Sequence, residues 1–276
     1  MQPANGQLAR VLSIAGSDSG GGAGIQADLK AFARAGVHGM TAITAITAQN
    51  TLAVEAVHPV PPETIVAQVR AVATDIGVDA VKIGMLGDVA TIEAVARALE
   101  LVGDAAVVLD PVMVAESGAA LLDPAASGAL VELLVPRATV VTPNLPEART
   151  LVGATDELDP DELARRVHAL GPEAVVVTGG HGTTGDDVFY DGQRLERIAG
   201  ERHPSGAAHG SGCTHSSTLA ARLALGDDPL AAARAARTVA AEAVRDGLRA
   251  IGAGSGPVDA LGLARRAEPA RPPQAV

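Results

Sequence analysis

The residue types that could do chemistry are densest at residues 209–214, His-Gly-Ser-Gly-Cys-Thr, which lead into an apolar, Ala-rich stretch. A flexible turn that opens a helix directs unpaired backbone N–H groups at an anion. Cys213, the only cysteine of the 276 residues, stands at this turn, where a thiol is most easily deprotonated. The segment predicts a phosphate cradle made by Gly210, Ser211 and Gly212, with a base beside it. The alternative is a plain loop-to-helix connection with a buried cysteine.

Two carboxylates follow apolar runs that have the character of buried strands. Asp110 ends one run, and Glu147 follows another, in the first turn of a predicted helix. Ligands of open α/β sheets bind beyond the carboxyl ends of the strands, so the two side chains are expected at one edge. They could hold a hydrated Mg²⁺ through water. A glutamate in a first helical turn also commonly serves only to complement the helix dipole.

A glycine-rich loop, residues 16–24, follows the first apolar run and allows a close approach of backbone to a ligand. The dinucleotide-binding fingerprint fails there, because Ile25 stands where the third glycine is required. The second run ends at Gln49, whose amide offers both a donor and an acceptor to the edge of a heteroaromatic ring. A surface turn is the alternative interpretation of this amide.

Composition excludes several classes of function. Aromatic residues make up 1% of the chain and the formal net charge is −11, which argues against nucleic acid as a partner. One cysteine cannot form an internal disulfide, and no signal or membrane-spanning segment is visible. A cytoplasmic location is therefore predicted. Three histidines near the cradle have poor spacing for a metal site and are expected to be solvated; they are His203, His209 and His215.

The elements that must position these residues alternate along the chain. Continuous apolar runs predict strands buried on both faces, and apolar positions three and four apart predict helices between them. The predicted strands are 11–15, 37–48, 80–83, 105–109, 139–141 and 174–177, with a hairpin at 187–195. The predicted helices are 25–35, 62–75, 89–101, 126–134, 161–170, 214–225 and 229–248. We expect an extension at 1–9, one domain at 10–265 and a disordered tail at 266–276.

Six collinear motifs together resemble the hydroxymethylpyrimidine/phosphomethylpyrimidine kinases of thiamine biosynthesis. They lie at residues 15–30, 48–51, 82–86, 109–113, 142–147 and 209–214. The resemblance implies a ribokinase-like three-layer α/β/α fold with a mostly parallel central sheet, and ATP and Mg²⁺ as cofactors. It also implies phosphorylation of 4-amino-5-hydroxymethyl-2-methylpyrimidine and then of its monophosphate.

The resemblance assigns roles by matched position. Cys213 would take the hydroxyl proton while the N–H groups of the cradle stabilise the transferring phosphoryl group. Gln49 would bind the pyrimidine edge, and Asp110 and Glu147 the metal, through water. The remaining substrate-binding residues would be Gly16, Asp18, Ala23, Met85 and Val112. The nucleotide-binding residues would be Asn144, Thr178 and Gly180.

Two segments depart from the family pattern. Thr178 stands where many members carry a lysine that meets the transferring phosphates, and residues 116–119 read Glu-Ser-Gly-Ala in place of Lys-Ser-Gly-Asp. We therefore predict slower formation of the diphosphate than of the monophosphate. The alternative functions are a pyridoxal kinase of the same superfamily and a non-catalytic ligand-binding module. A homodimer is compatible with the sequence, which does not determine the oligomeric state.

Overall fold

A nine-stranded sheet forms the centre of the computed structural model, which describes residues 8–181, 185–204 and 206–267. In the order β3-β2-β1-β4-β5-β6-β7-β8-β9, the pairs from β2 to β7 are parallel, whereas β3, β8 and β9 pair antiparallel. The strands are β1 Arg10–Asp18, β2 His38–Gln49, β3 Val54–Pro59, β4 Ala80–Ile83, β5 Ala106–Leu109, β6 Val140–Val141, β7 Ala174–Val177, β8 Asp187–Tyr190 and β9 Leu195–Ile198.

Helices cover both faces of the sheet. They are α1 Gly24–Ala35, α2 Pro62–Asp75, α3 Val89–Leu99, α4 Ser127–Leu133, α5 Leu145–Leu151, α6 Pro160–His168, α7 Ser211–Ala224, α8 Pro229–Arg245 and α9 Leu263–Ala267. Short 3₁₀ turns lie at Pro124–Ala126, Val135–Arg137 and Gly179–His181. Apolar side chains of α2 to α6 pack on one face, and those of α1, α7 and α8 on the other. The predicted three-layer, mostly parallel α/β/α architecture is confirmed.

The inner strands are buried on both faces, which explains their unbroken apolar runs. In β4, Val81 and Ile83 pack against the α2–α6 layer, while Ala80 packs against the α1, α7 and α8 layer. Because side chains alternate along a strand, Lys82 shares the face of Ala80. The chain therefore places one lysine inside a layer that is otherwise largely aliphatic.

The predicted elements are found, with differences at their ends. Helix α7 begins at Ser211 rather than at residue 214, because Gly210 in the left-handed conformation (φ 86°) caps it. Strand β3 was not predicted; five of its six residues are exposed, so its burial carries no period-2 pattern. The hairpin at 187–195 is confirmed as β8 and β9.

The two chain ends are only partly described. Residues 1–7 of the predicted extension and 268–276 of the predicted tail lie outside the described residues. Helix α9 covers Leu263–Ala267, two residues into the predicted tail. None of the described helices is both long and apolar enough to cross a membrane, and the cytoplasmic location stays a prediction.

Candidate active site

A cavity of about 760 Å³ lies beyond the carboxyl ends of the parallel strands. Its size is within the range of small-molecule and cofactor sites. Every predicted site residue lines it: Gly16, Asp18, Ala23, Gln49, Met85, Asp110, Val112, Asn144, Glu147, Thr178, Gly180, Gly210, Ser211, Gly212 and Cys213. The structure thus brings together side chains that are up to about two hundred residues apart in the chain.

The first turn of α7 forms the predicted cradle. Gly210 is required at its start, because its φ is positive and a Cβ there would overlap the carbonyl oxygen of Gly22. The N–H of Ser211 donates to the carbonyl of Ala208 at 3.0 Å. The first helical bond of the turn is from Thr214 to Gly210, so Gly212 and Cys213 lie in the stretch whose N–H groups lack helical acceptors. The N–H of Ser211 is thus occupied within the turn, whereas the N–H groups of Gly212 and Cys213 remain as donors for an anion.

Asp18 fixes the glycine-rich loop against the cradle. Its carboxylate accepts hydrogen bonds from the N–H groups of Gly20 (2.8 Å), Gly22 (3.0 Å) and Ala23 (2.8 Å), and its Oδ2 lies 3.0 Å from Nε2 of His209. Burial would raise the pKa of Asp18, but the bonds from His209 and the loop hold it below its usual value. Asp18 was predicted to bind substrate; its geometry shows it shaping the loop that encloses the cavity.

Cys213 is the third residue of α7 and lines the cavity. Burial raises the pKa of its thiol to about 12, although the Lys82 ammonium and the N–H of Gly24 lower it. The expectation of an easily deprotonated thiol at this helix start is therefore wrong for the chain as it stands. Desolvation, together with the negative charges of Asp28 and Asp110, outweighs the lowering effect of Lys82 and Gly24 on this pKa.

Asp110 and Glu147 form a buried pair of carboxylates at the strand ends. Asp110 accepts a 2.8 Å bond from the hydroxyl of Ser216. Glu147 and Asn144 form a reciprocal capping box at the start of α5, with both bonds at 2.9 Å. Burial, followed by the Asp110 charge, raises the pKa of Glu147 to about 8, and burial likewise raises the pKa of Asp110. Glu147 therefore caps α5, as the second alternative expected, and it also lines the cavity; its binding of Mg²⁺ stays a prediction.

These two carboxylates suit a divalent cation. Burial disfavours the charged form of both side chains and so raises both pKa values, and a bound cation would favour that charged form. Within the described part of the chain, no group of three or more His, Cys, Asp or Glu side chains could hold a metal by itself. The two carboxylates therefore fit an ion that keeps several water ligands and takes further oxygen ligands from a substrate phosphate, as Mg²⁺ does.

The predicted ring pocket is built from β1, β2 and the segment after β4. Gly16 packs against Met85 so closely that a Cβ at residue 16 would overlap the methionine methyl group. The Oε1 of Gln49 accepts a 3.1 Å bond from the hydroxyl of Thr47. Ser19 bonds both the N–H and the carbonyl of Gln49. The backbone and the amide oxygen of Gln49 are thereby oriented at the cavity wall.

The predicted nucleotide side lies where β6 and β7 end. Asn144 and Thr178 form an isolated parallel bridge, and the N–H of Thr178 donates to the carbonyl of Pro143 at 2.9 Å. The next N–H, of Gly179, donates to Asp187 at 2.8 Å. Two arginines that the sequence analysis did not single out, Arg202 and Arg237, also line the cavity.

The histidine prediction is wrong for two of the three residues. His209 and His215 are buried, and their Nε2 atoms lie 3.0 Å and 3.2 Å from the carboxylates of Asp18 and Asp187. Both line the cavity. Each partner is remote in sequence, so spacing along the chain carried no signal of the pairing.

The chain matches a family model described as phosphomethylpyrimidine kinase over residues 18–259. A hydroxymethylpyrimidine/phosphomethylpyrimidine kinase of Rhizobium meliloti is 51% identical over 254 residues, covering 90% of this chain and 95% of that protein. An ADP complex of Bacillus subtilis pyridoxal kinase is 40% identical with a TM-score of 0.85, covering 93% of this chain and 99% of that one. A Staphylococcus aureus pyridoxal kinase, in complex with AMP-PCP and pyridoxal, is 34% identical with a TM-score of 0.83, covering 92% and 94%. The chain belongs to the phosphomethylpyrimidine kinase family.

Proposed function

We propose that this protein transfers the γ-phosphoryl group of ATP to the hydroxymethyl group of 4-amino-5-hydroxymethyl-2-methylpyrimidine, and then to the resulting monophosphate. One observation carries the proposal: the ring pocket around Gln49 and Met85 and the phosphate cradle of α7 open into one cavity. The 51% identical relative named for both kinase steps supports it. Phosphoryl transfer needs positioning and charge neutralisation more than covalent chemistry, which this arrangement suits.

The cradle would act on the transferring phosphoryl group. The N–H groups of Gly212 and Cys213, together with the α7 dipole, stabilise negative charge at the start of the helix. Asp18 keeps the glycine-rich loop packed against Gly210, so the donors are fixed before the substrates bind. Fixed donors are effective because they need no reorganisation during the reaction.

Cys213 would accept the proton of the acceptor hydroxyl. A loose, metaphosphate-like transition state asks little basicity of this group, so its placement matters most. We expect Cys213→Ala to lose most turnover while keeping its affinity for ATP, with Cys213→Ser as the variant of similar size. Near-normal turnover of Cys213→Ala would refute the role.

Asp110 and Glu147 would hold Mg²⁺, in part through water. The ion would supply charge neutralisation to the ATP phosphates. Arg202 and Arg237 line the cavity wall, but residue 178 is a threonine where many members of the family carry a lysine. We propose that the second phosphorylation, in which two anionic groups meet, is the slower step for this reason.

A second activity, phosphorylation of pyridoxal, is favoured by one observation. Structures named as pyridoxal kinases match the chain at TM-scores of 0.83 and 0.85. The test is a coupled assay of ATP consumption with hydroxymethylpyrimidine, its monophosphate and pyridoxal in parallel. Turnover that depends on the pyrimidine supports the main proposal, and turnover with pyridoxal alone replaces it with the second.

A further inference from the structure

Lys82 carries a fully buried ammonium group, and the proposed reaction assigns it no role. Its Nζ lies 3.0 Å and 3.2 Å from the two carboxylate oxygens of Asp28 in α1. Asp28 also accepts 2.6 Å hydrogen bonds from the hydroxyls of Ser13 and Ser217. Burial would lower the pKa of Lys82, but the surrounding negative charge raises it, so the group stays charged.

Stability alone does not explain this ion pair. Burying two charges away from water costs free energy. A protein with well-packed apolar residues of similar volume in place of the ion pair is commonly as stable or more stable. The neighbouring Gly84 leaves room for the ammonium, since a Cβ there would lie 2.8 Å from Nζ. The glycine at residue 84 thus accommodates a buried ammonium group that is not needed to fill this part of the core.

The charge faces the reacting groups. Lys82 lines the same cavity as Cys213, and its Nζ lies 3.9 Å from the carboxylate of Asp110. One ammonium therefore lies between the carboxylates of Asp28 and Asp110, at the wall of the cavity that the Cys213 thiol also lines. In a site shielded from water, charges at this range act strongly on each other.

We propose that Lys82 is a positioning residue for phosphoryl transfer: its ammonium, held by Asp28, fixes a positive charge beside Asp110 and Cys213 that stabilises the thiolate form of Cys213. This inference rests on the proposed function. The thiol first loses its proton to water. In the transfer step, the hydroxyl O–H bond breaks as a new S–H bond forms at Cys213. The hydroxyl oxygen bonds the γ-phosphorus as the bond to ADP breaks.

The test is alkylation of the single cysteine with iodoacetamide, followed by mass spectrometry between pH 8 and 10. Only the thiolate attacks, forming a carbon–sulfur bond and releasing iodide, so the rate reports the thiolate fraction. We expect Lys82→Met to react about tenfold more slowly, equivalent to about one unit of pKa. Asp28→Asn should react about tenfold faster, because it removes a negative charge. Arg97→Met removes a cation from an exposed pair with Glu63 and should leave the rate unchanged.

A purely structural salt bridge predicts a different pattern. Loosening of the cradle would expose Cys213 and accelerate alkylation in both single variants. An unchanged or faster rate in Lys82→Met therefore overturns the proposal. If that variant does not fold by circular dichroism, the double variant Asp28→Asn/Lys82→Met, which leaves no unpaired charge of the pair, is compared with Asp28→Asn. A slower rate in the double variant supports the proposal, and an equal or faster rate overturns it.

Turnover gives a second readout. Lys82→Met should lower kcat about tenfold or more with little change in KM for ATP, and Lys82→Arg, which keeps the charge, should recover part of the loss. The alkylation experiment contains neither pyrimidine nor nucleotide. Its failure therefore removes only the role of Lys82. Absence of pyrimidine-dependent turnover in the unaltered protein, with the expected alkylation rates, removes the proposed function and leaves only the effect of Lys82 on the Cys213 thiol.

Discussion

Replacement of the buried Glu147 by glutamine should make the protein more stable at alkaline pH. Burial and the charge of Asp110 raise the pKa of Glu147 from 4.5 to about 8. Between those values the carboxyl is protonated in the folded chain and ionised in the unfolded chain. The unfolded state then binds fewer protons, so the free energy of unfolding falls as the pH rises through this window.

The size of the effect follows from the same values. A pKa moved from 4.5 to about 8 corresponds to about 5 kcal/mol of lost stability once the carboxyl is ionised, at about 1.4 kcal/mol for each pH unit. Glutamine has one acceptor oxygen, and Glu147 accepts from two N–H groups, of Asn144 and Met113. The lost bond costs about 1 kcal/mol. Glu147→Gln should therefore gain about 4 kcal/mol at pH 8.5 and almost nothing at pH 5.

Urea denaturation at pH 5, 7 and 8.5, in the presence of a chelator, measures this difference. Glu157→Gln is the matched control, because the Glu157 side chain is 95% exposed and its loss should change stability by no more than about 0.5 kcal/mol. Parallel curves of stability against pH for the unaltered protein and Glu147→Gln would refute the electrostatic reasoning.

Three further predictions concern the cavity. Gly210→Ala should lose at least about 1 to 2 kcal/mol of stability because of its positive φ, and more because the added Cβ would overlap Gly22. The control is Gly128→Ala in α4, where an added Cβ meets nothing within 4 Å. Thermal unfolding should show this control to be neutral or stabilising. Thr178→Lys should accelerate diphosphate formation more than monophosphate formation in single-turnover assays, and an unchanged ratio contradicts the account of the second step. Ser216→Ala removes the 2.8 Å hydrogen bond to Asp110 and should weaken the apparent affinity for Mg²⁺, seen as a higher Mg²⁺ concentration at half-maximal rate.

The sheet and the assembly of the site could be predicted from the sequence because both follow from local patterns. Buried parallel strands are unbroken apolar runs, and their carboxyl ends meet at one edge of the sheet. Asp110, Glu147 and Cys213 could therefore be assigned to one cavity although long stretches of chain separate them. The resemblance to a known family then assigned each of them a role.

Pairings between remote residues could not be predicted in the same way. Lys82 stands inside a strand pattern, and nothing in its spacing indicates that Asp28, 54 residues earlier, neutralises it. The burial of His209 and His215 depends on carboxylates carried by other elements. The high pKa of the Cys213 thiol likewise reflects desolvation by the assembled layers, whereas its position at a helix start suggested the opposite.

The most direct test of the central claim is product analysis after incubation of the purified protein with ATP, Mg²⁺ and hydroxymethylpyrimidine. We expect ATP consumption that requires the pyrimidine, with the monophosphate appearing first and the diphosphate later. The Cys213→Ala variant should form much less of both the monophosphate and the diphosphate. ATP consumption without a phosphorylated pyrimidine, or turnover of pyridoxal in its place, would contradict the account.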